Sequence, residues 1–296
     1  MLFASLSKEE HEIRDHLKVH IQTLAGDIGE RNVFKYPALE ASAHYIEKVL
    51  RDQRYEPAAH EFEVHELTVR NLEVELRSPA QPQEIIIVGA HYDSVFGCPG
   101  ANDNATGVAA MLEIARLLRP TEVPRTVRFV AFVNEEPPFF QTEEMGSWVY
   151  AKRCRRRGEK IIAMISLETI GYYSDAPKSQ TYPLPFSLLY PSEGNFIGFV
   201  GNIASRQLVR RSIRTFRQNT GFPSEGVGAP GWIPGIGWSD HWAFWKEGYP
   251  GVMVTDTALY RYRHYHTRED TPDKIDYDRM ARVVGGLVKV VEDLAR

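Results

Sequence analysis

Two adjacent carboxylates, Glu135 and Glu136, follow the run Thr126-Val-Arg-Phe-Val-Ala-Phe-Val-Asn134, at the point where its hydrophobic character stops. This β-branched and aromatic run lies between Pro124 and Pro137-Pro138. It predicts a buried strand with the pair at a sheet edge, half out of the core. Like charges so close repel, so a cation must hold them or one must keep its proton. A divalent metal resolves the conflict: one carboxylate ligates it, and the other takes the proton of the water it activates. Adjacent glutamates also occur as plain solvated strand ends, so the pair needs company to carry meaning.

That company exists. Gln83-Glu-Ile-Ile-Ile-Val-Gly-Ala predicts a second buried strand and ends at His91-Tyr92-Asp93-Ser94. It is followed by Pro99-Gly-Ala-Asn-Asp103-Asn-Ala-Thr-Gly107 and an apolar helix. A third run, Lys160-Ile-Ile-Ala-Met-Ile-Ser-Leu, ends at Glu168, and Tyr265-His266-Thr267 lies near the C-terminus. Strands that deliver His, Glu and Glu at their carboxyl ends match the place where α/β sheets bind ligands. The glycine-containing run before the helix has neither the lysine nor the spacing of a phosphate loop.

The elements that must hold these residues follow from periodicity. Lys8 to Leu24 and Leu39 to Arg51 carry helical apolar spacing, as do 107–118, 144–156, 205–219 and Met280 to Leu294. His60 to His65 and Val69 to Leu76 alternate apolar and polar residues, as half-exposed antiparallel strands do. The runs at 84–90, 127–133, 161–167 and 252–254 are too apolar for a one-sided sheet. The fold expected is α/β: a mixed, mostly parallel twisted sheet with helices on both faces, in a single domain spanning 1–296. Gly221 to Trp238 holds six Gly, three Pro and two Trp without a period. It predicts a long loop whose tryptophans wall a pocket.

The chain has 296 residues, 43% hydrophobic and 25% charged, within the globular range. A net charge of −4 offers no general reason to expect nucleic acid as a partner. Arg153-Cys-Arg-Arg-Arg157 suits a solvated helix end. The two cysteines, Cys98 and Cys154, show no metal-site spacing. No stretch approaches the roughly 18–20 apolar residues of a membrane span. The start lacks a basic, apolar leader, which makes the cytoplasm the default expectation.

Taken together, His91-Tyr-Asp-Ser, Pro99-Gly-Ala-Asn-Asp-Asn-Ala-Thr-Gly, Asn134-Glu-Glu, Leu167-Glu-Thr-Ile-Gly, Ser239-Asp-His and Tyr265-His-Thr-Arg-Glu-Asp-Thr resemble the co-catalytic zinc aminopeptidase family. That family includes bacterial leucyl aminopeptidases, with glutamate carboxypeptidases and glutaminyl cyclases as relatives. The likeness covers roughly Arg31 to Gly285, and the insert Pro137 to Met145 looks like a bacterial branch. The resemblance implies two Zn2+ ions: Asp103 bridging, Glu136 and His266 on one, His91 and Glu168 on the other. It implies Glu135 as general base and then acid, and Tyr265 as stabiliser of the oxyanion. Asp93, two residues from His91 and so on the same strand face, is expected to hold that imidazole. Asp240 matches an acidic position near the site. Trp232 and Trp238 are expected to favour an apolar first side chain. Many relatives carry Asp where this chain has Glu168.

The function expected is a zinc exopeptidase acting on a peptide or small amide, foremost an aminopeptidase. A carboxypeptidase or amidase is the alternative if Arg261, Arg263 or Arg268 serves a substrate carboxylate. A glutaminyl cyclase is expected to work with one zinc. A non-catalytic module on the same fold would lack a ligand or the base, and none is missing.

Overall fold

A computed structural model describes residues 5–184 and 186–296; Met1 to Ala4, part of the start read above for a leader, lie outside the described residues. Eight strands form one sheet: β1 Ala58–Val64, β2 Leu67–Leu76, β3 Gln81–His91, β4 Arg125–Phe132, β5 Lys160–Glu168, β6 Ile197–Gly201, β7 Ser224–Gly228 and β8 Gly251–Thr255. Their order across the sheet is β1-β2-β4-β3-β5-β8-β6-β7. The centre is parallel, β4 with β3, β3 with β5 and β5 with β8. The β1–β2 hairpin is antiparallel and joins β4 antiparallel. At the other end β6 runs against β8, and β7 runs parallel to β6.

Eight α-helices are described: α1 Lys8–Ile21, α2 Tyr36–Asp52, α3 Thr106–Leu118, α4 Gly146–Arg156, α5 Arg206–Asn219, α6 His241–Lys246, α7 Ala258–Arg261 and α8 Tyr277–Leu294. Strand alternation sorts them onto the two faces. Ile86 and Val88 of β3, with Val127, Phe129 and Ala131 of β4, pack in one buried cluster with residues of α1, α2, α3, α5 and α8. Ile85, Ile87, Val130 and Phe132 point the other way, into a second cluster with Tyr150 of α4 and Phe244 of α6. Both faces are therefore covered, as the unbroken apolar runs demanded. No helix among the described residues is long and apolar enough to cross a membrane.

Two expectations are corrected. Gly221 to Trp238 is not wholly loop, because it contains β7. Ser-Glu-Gly-Val-Gly has no apolar alternation and becomes a strand through its register with β6. β6 itself, Ile-Gly-Phe-Val-Gly, is a five-residue piece lacking the length of a periodic signal. The second correction concerns Glu135 and Glu136, which are 7% and 3% exposed and so lie well inside the molecule.

Candidate metal centre

β3, β4 and β5 run parallel, so their carboxyl ends bring His91, the Glu135-Glu136 pair and Glu168 to one side of the sheet. Asn134, in the left-handed region at φ 59°, turns the chain after β4. Asp93 ties this turn to the neighbouring strand: its Oδ1 accepts from the Glu135 amide and its Oδ2 from the Glu136 amide, both at 3.1 Å. The same residue flanks His91, whose Nδ1 is 3.2 Å from the Asp93 carbonyl and 3.5 Å from its Oδ1. Asp93 thus contacts the imidazole and accepts from both amides of the carboxylate pair.

Asp103 comes from the segment ahead of α3. Gly100 opens it at φ 64°, and a Cβ there would meet the Asp103 carbonyl at 2.4 Å, so only glycine fits. Asp270 clamps the turn by accepting from the Asn102 amide at 2.8 Å and the Asp103 amide at 3.1 Å. Arg31, fully buried, braces it by donating to the Tyr92 carbonyl at 2.7 Å and the Gly100 carbonyl at 2.8 Å. Ser239 donates to Glu168 Oε2 at 2.8 Å. These braces escaped sequence reading. Asp270 and Ser239 lay inside quoted motifs without an evident role, and Arg31 carried no local signal.

The gathered groups are close. Asp103 lies between the two imidazoles: Oδ1 is 3.3 Å from His91 Nε2, and Oδ2 is 3.0 Å from His266 Nε2. Glu168 Oε2 is 3.3 Å from His91 Nε2, and Glu136 Oε2 is 3.3 Å from His266 Nε2. Glu135 Oε2 stands farther off, 3.8 Å from His91 Nε2. Ligand atoms of His91, Asp103 and Glu168 lie within 4.8 Å of one another, as do those of Asp103, Glu136 and His266, and those of His91, Glu135 and Glu136. The His266 side chain is 31% exposed and opens the cluster to solvent. Tyr265 stacks on His266 with centroids 3.9 Å apart.

Electrostatics set this cluster apart. Burial, reinforced by the Asp103 and Glu135 charges, raises the Glu136 carboxyl well above its usual range. Burial with the Glu168 and Asp240 charges does the same to Glu135, against the pull of His91. Glu168 is raised by burial and Asp103. Burial alone would lower His91, but Glu135 and Glu168 hold its proton and raise it. Asp240 is fully buried, and desolvation pushes it up to about 7. No lysine or arginine among the described residues ion-pairs with Asp103, Glu135, Glu136 or Glu168. His91 Nε2, Asp103 Oδ1 and Glu136 Oε1 are buried without a hydrogen-bond partner among the described residues. Buried polar atoms normally have partners, and an imidazole and carboxylate set with inward-facing orphans fits a divalent cation such as zinc.

An apolar cavity adjoins the cluster through Glu168 and Tyr265. Trp238, 44% exposed, lines it, whereas Trp232 stands 83% exposed and away from it. Arg261 points elsewhere: it is buried, bonded to the Gly194 and Phe196 carbonyls and to Gln180.

Residues 71–291 match the model of peptidase family M28. An uncharacterised Escherichia coli protein, YfbL, is 38% identical over 295 residues, covering 96% of this chain and 90% of its own. A probable leucine aminopeptidase 1 of Trichophyton verrucosum is 26% identical across 74% of this chain, which spans only 56% of that protein's length. Among solved structures, BSAP, a zinc aminopeptidase from Bacillus subtilis, superposes with a TM-score of 0.76 at 16% identity, covering 95% of each chain. A glutaminyl cyclase from Fimbriiglobus ruber gives 0.69 at 20% identity, covering 98% of this chain and 97% of its own. At such identities these structures speak to the fold.

Proposed function

The chain belongs to peptidase family M28, and from that premise we propose that it is a zinc-dependent aminopeptidase removing the first residue of a peptide. The observation that carries this is Asp103, whose two oxygens each face a different imidazole within a carboxylate-rich cluster that no described lysine or arginine ion-pairs. Asp103 would bridge two zinc ions, with His91 and Glu168 on one and Glu136 and His266 on the other. Zinc held there would supply Lewis-acid chemistry, activating a water and the scissile carbonyl.

The protein's own groups do the rest. Glu135 is the carboxylate farthest from this set; its Oε2 takes the proton of the attacking water and returns it to the leaving amine. Its placement is held by Asp93 through the backbone. The Tyr265 hydroxyl donates to the oxyanion as it develops. Glu168, which lines the cavity, and Glu135 beside it receive the substrate's α-ammonium. The apolar wall, including Trp238, excludes water from the first side chain.

Aminoacyl-anilides, each with and without N-acetylation and before and after chelation, test this. Free-amine substrates should be hydrolysed, acetylated ones resisted, and activity lost with the metal. Equal cleavage of acetylated substrates, or release of C-terminal residues, would overturn the aminopeptidase assignment. The glutaminyl cyclase likeness supports a second reading, which conversion of an N-terminal glutamine peptide with one zinc per chain would favour.

A further inference from the structure

The floor of the cavity carries a second carboxylate. Glu168 of β5 pairs in register with Thr255 of β8, Thr255 with Gly198 of β6, and Gly198 with Glu225 of β7. In-register neighbours lean to one face, and all four line the cavity. Because β6 and β7 run against β8, this row joins the carboxyl end of the central strands to the amino end of the edge pair. Three strand spacings separate its ends, about 14 Å between the Cα atoms of Glu168 and Glu225. The next row, Met253, Val200 and Val227, also lines the cavity and is apolar throughout.

Between the two carboxylates the floor carries only the short Thr255 side chain. Gly198 contributes no side chain, and a Cβ there would already meet the Thr255 carbonyl at 3.2 Å. Over Glu225 stands an aromatic wall of Tyr182, Phe186 and Tyr190, the last anchored by its hydroxyl donating to the Gly226 carbonyl at 3.0 Å. No protein donor among the described residues hydrogen-bonds the Glu225 carboxylate. Arg217 approaches Oε2 only to 3.8 Å, because its guanidinium is spent on the Ser224 hydroxyl at 3.1 Å and the Ser224 carbonyl. Burial raises the Glu225 carboxyl, with Arg217 opposing.

We infer that Glu225 makes this cavity a subsite for a first residue with a long apolar stem and a cationic tip, arginine above lysine. The span suits it: an α-ammonium at Glu168, an extended arginine over Thr255 and Gly198, and a guanidinium against Glu225 together cover roughly the 14 Å of the row. The stem lies on the apolar row, and the planar guanidinium stacks on the aromatic wall better than a lysine ammonium does. This deepens the aminopeptidase reading and rests on it for the position of the α-ammonium.

The test uses the zinc-loaded full chain with Arg-, Lys-, Leu- and Phe-p-nitroanilide, and calorimetric titration with L-argininamide and L-leucinamide. Arg and Lys substrates should exceed Leu and Phe in kcat/KM, and argininamide should bind more tightly than leucinamide. Glu225→Gln should lower the Arg-to-Leu ratio of kcat/KM about tenfold to a hundredfold, chiefly through KM, as loss of a charge-assisted contact does. Glu225→Asp, which keeps the charge, should retain part of the preference. A Leu or Phe preference in the wild type, or a ratio that Glu225→Gln does not move, would overturn the inference. If no anilide is cleaved yet argininamide binds more tightly in a Glu225-dependent way, the subsite stands and the aminopeptidase reading falls.

Discussion

Two clusters of glutamates, one half-buried and one buried, lie on the same sheet and behave in opposite ways. Around Arg128, Glu75 lies at 2.9 Å, Glu159 at 2.6 Å and Glu73 at 3.7 Å. His60 and Tyr150 also bond Glu73, at 3.0 and 2.6 Å. Burial alone would raise Glu73, yet these partners bring its carboxyl down to about 2. At the carboxyl ends of β3, β4 and β5, buried Glu135, Glu136 and Glu168 are instead raised. The residue type is the same, but the second cluster is the more deeply buried and lacks the resident guanidinium of the first. A cluster that carries its own is scaffold; one that faces inward without it is built around a cation from outside.

The largest effect should come from the group that stands apart within the second cluster. Glu135→Gln should cost about 10²–10⁴-fold in kcat while zinc content, measured by elemental analysis, is kept. Glu136→Gln should instead shed zinc. The reverse pattern would exchange the two roles. Next comes the scaffold cluster. Arg128→Met removes the guanidinium that three carboxylates share, leaving Glu73 to His60 and Glu159 to Arg157, and should cost about 3 kcal/mol in denaturant unfolding, with zinc stoichiometry unchanged.

Metal should act on stability in one cluster alone. With free zinc a thousandfold above its Kd, the native state should gain about 4 kcal/mol, read as a higher Tm that chelation abolishes. Two zinc ions per chain are expected at saturation. A ratio fixed at one would remove Glu168 from the ligand set. Glu136→Gln should shrink the chelation shift, and Arg128→Met should keep it.

The smallest effect concerns acid. Glu73 is depressed in the folded state, to about 2, from an ordinary value near 4.5. The unfolded chain therefore binds the extra proton, and stability present above about pH 4.5 is lost as pH falls toward 2, by up to about 3 kcal/mol. Glu73→Gln should flatten that part of the stability–pH curve. An unchanged slope would mean that Glu73 is not the group responsible.

The site was legible in the sequence to the extent that its residues end strands. His91, Glu136 and Glu168 each close a run apolar enough to announce a buried strand, and parallel pairing carries such ends to one side. What stayed hidden depends on pairing across long separations. Arg31 matters because it reaches carbonyls 61 and 69 residues away. Glu225 lies in a glycine-rich segment that becomes a strand only beside β6, so its alignment with Glu168 exists only in the assembled sheet. A strand end implies exposure, whereas Glu135 and Glu136 are buried in a turn whose amides are held by Asp93, 42 and 43 residues away in sequence.

β7 is hydrogen-bonded along one side only, at the rim of the sheet, whereas the strands bearing His91, Glu136 and Glu168 are interior. The floor of the cavity thus runs from a region where a change disturbs neighbours on both flanks to one where it disturbs a single neighbour. Mutational drift has an uneven field to work in: were Glu225 to set the preferred substrate, single substitutions at the rim would revise it, while the residues gathered by the interior strands would be far harder to change.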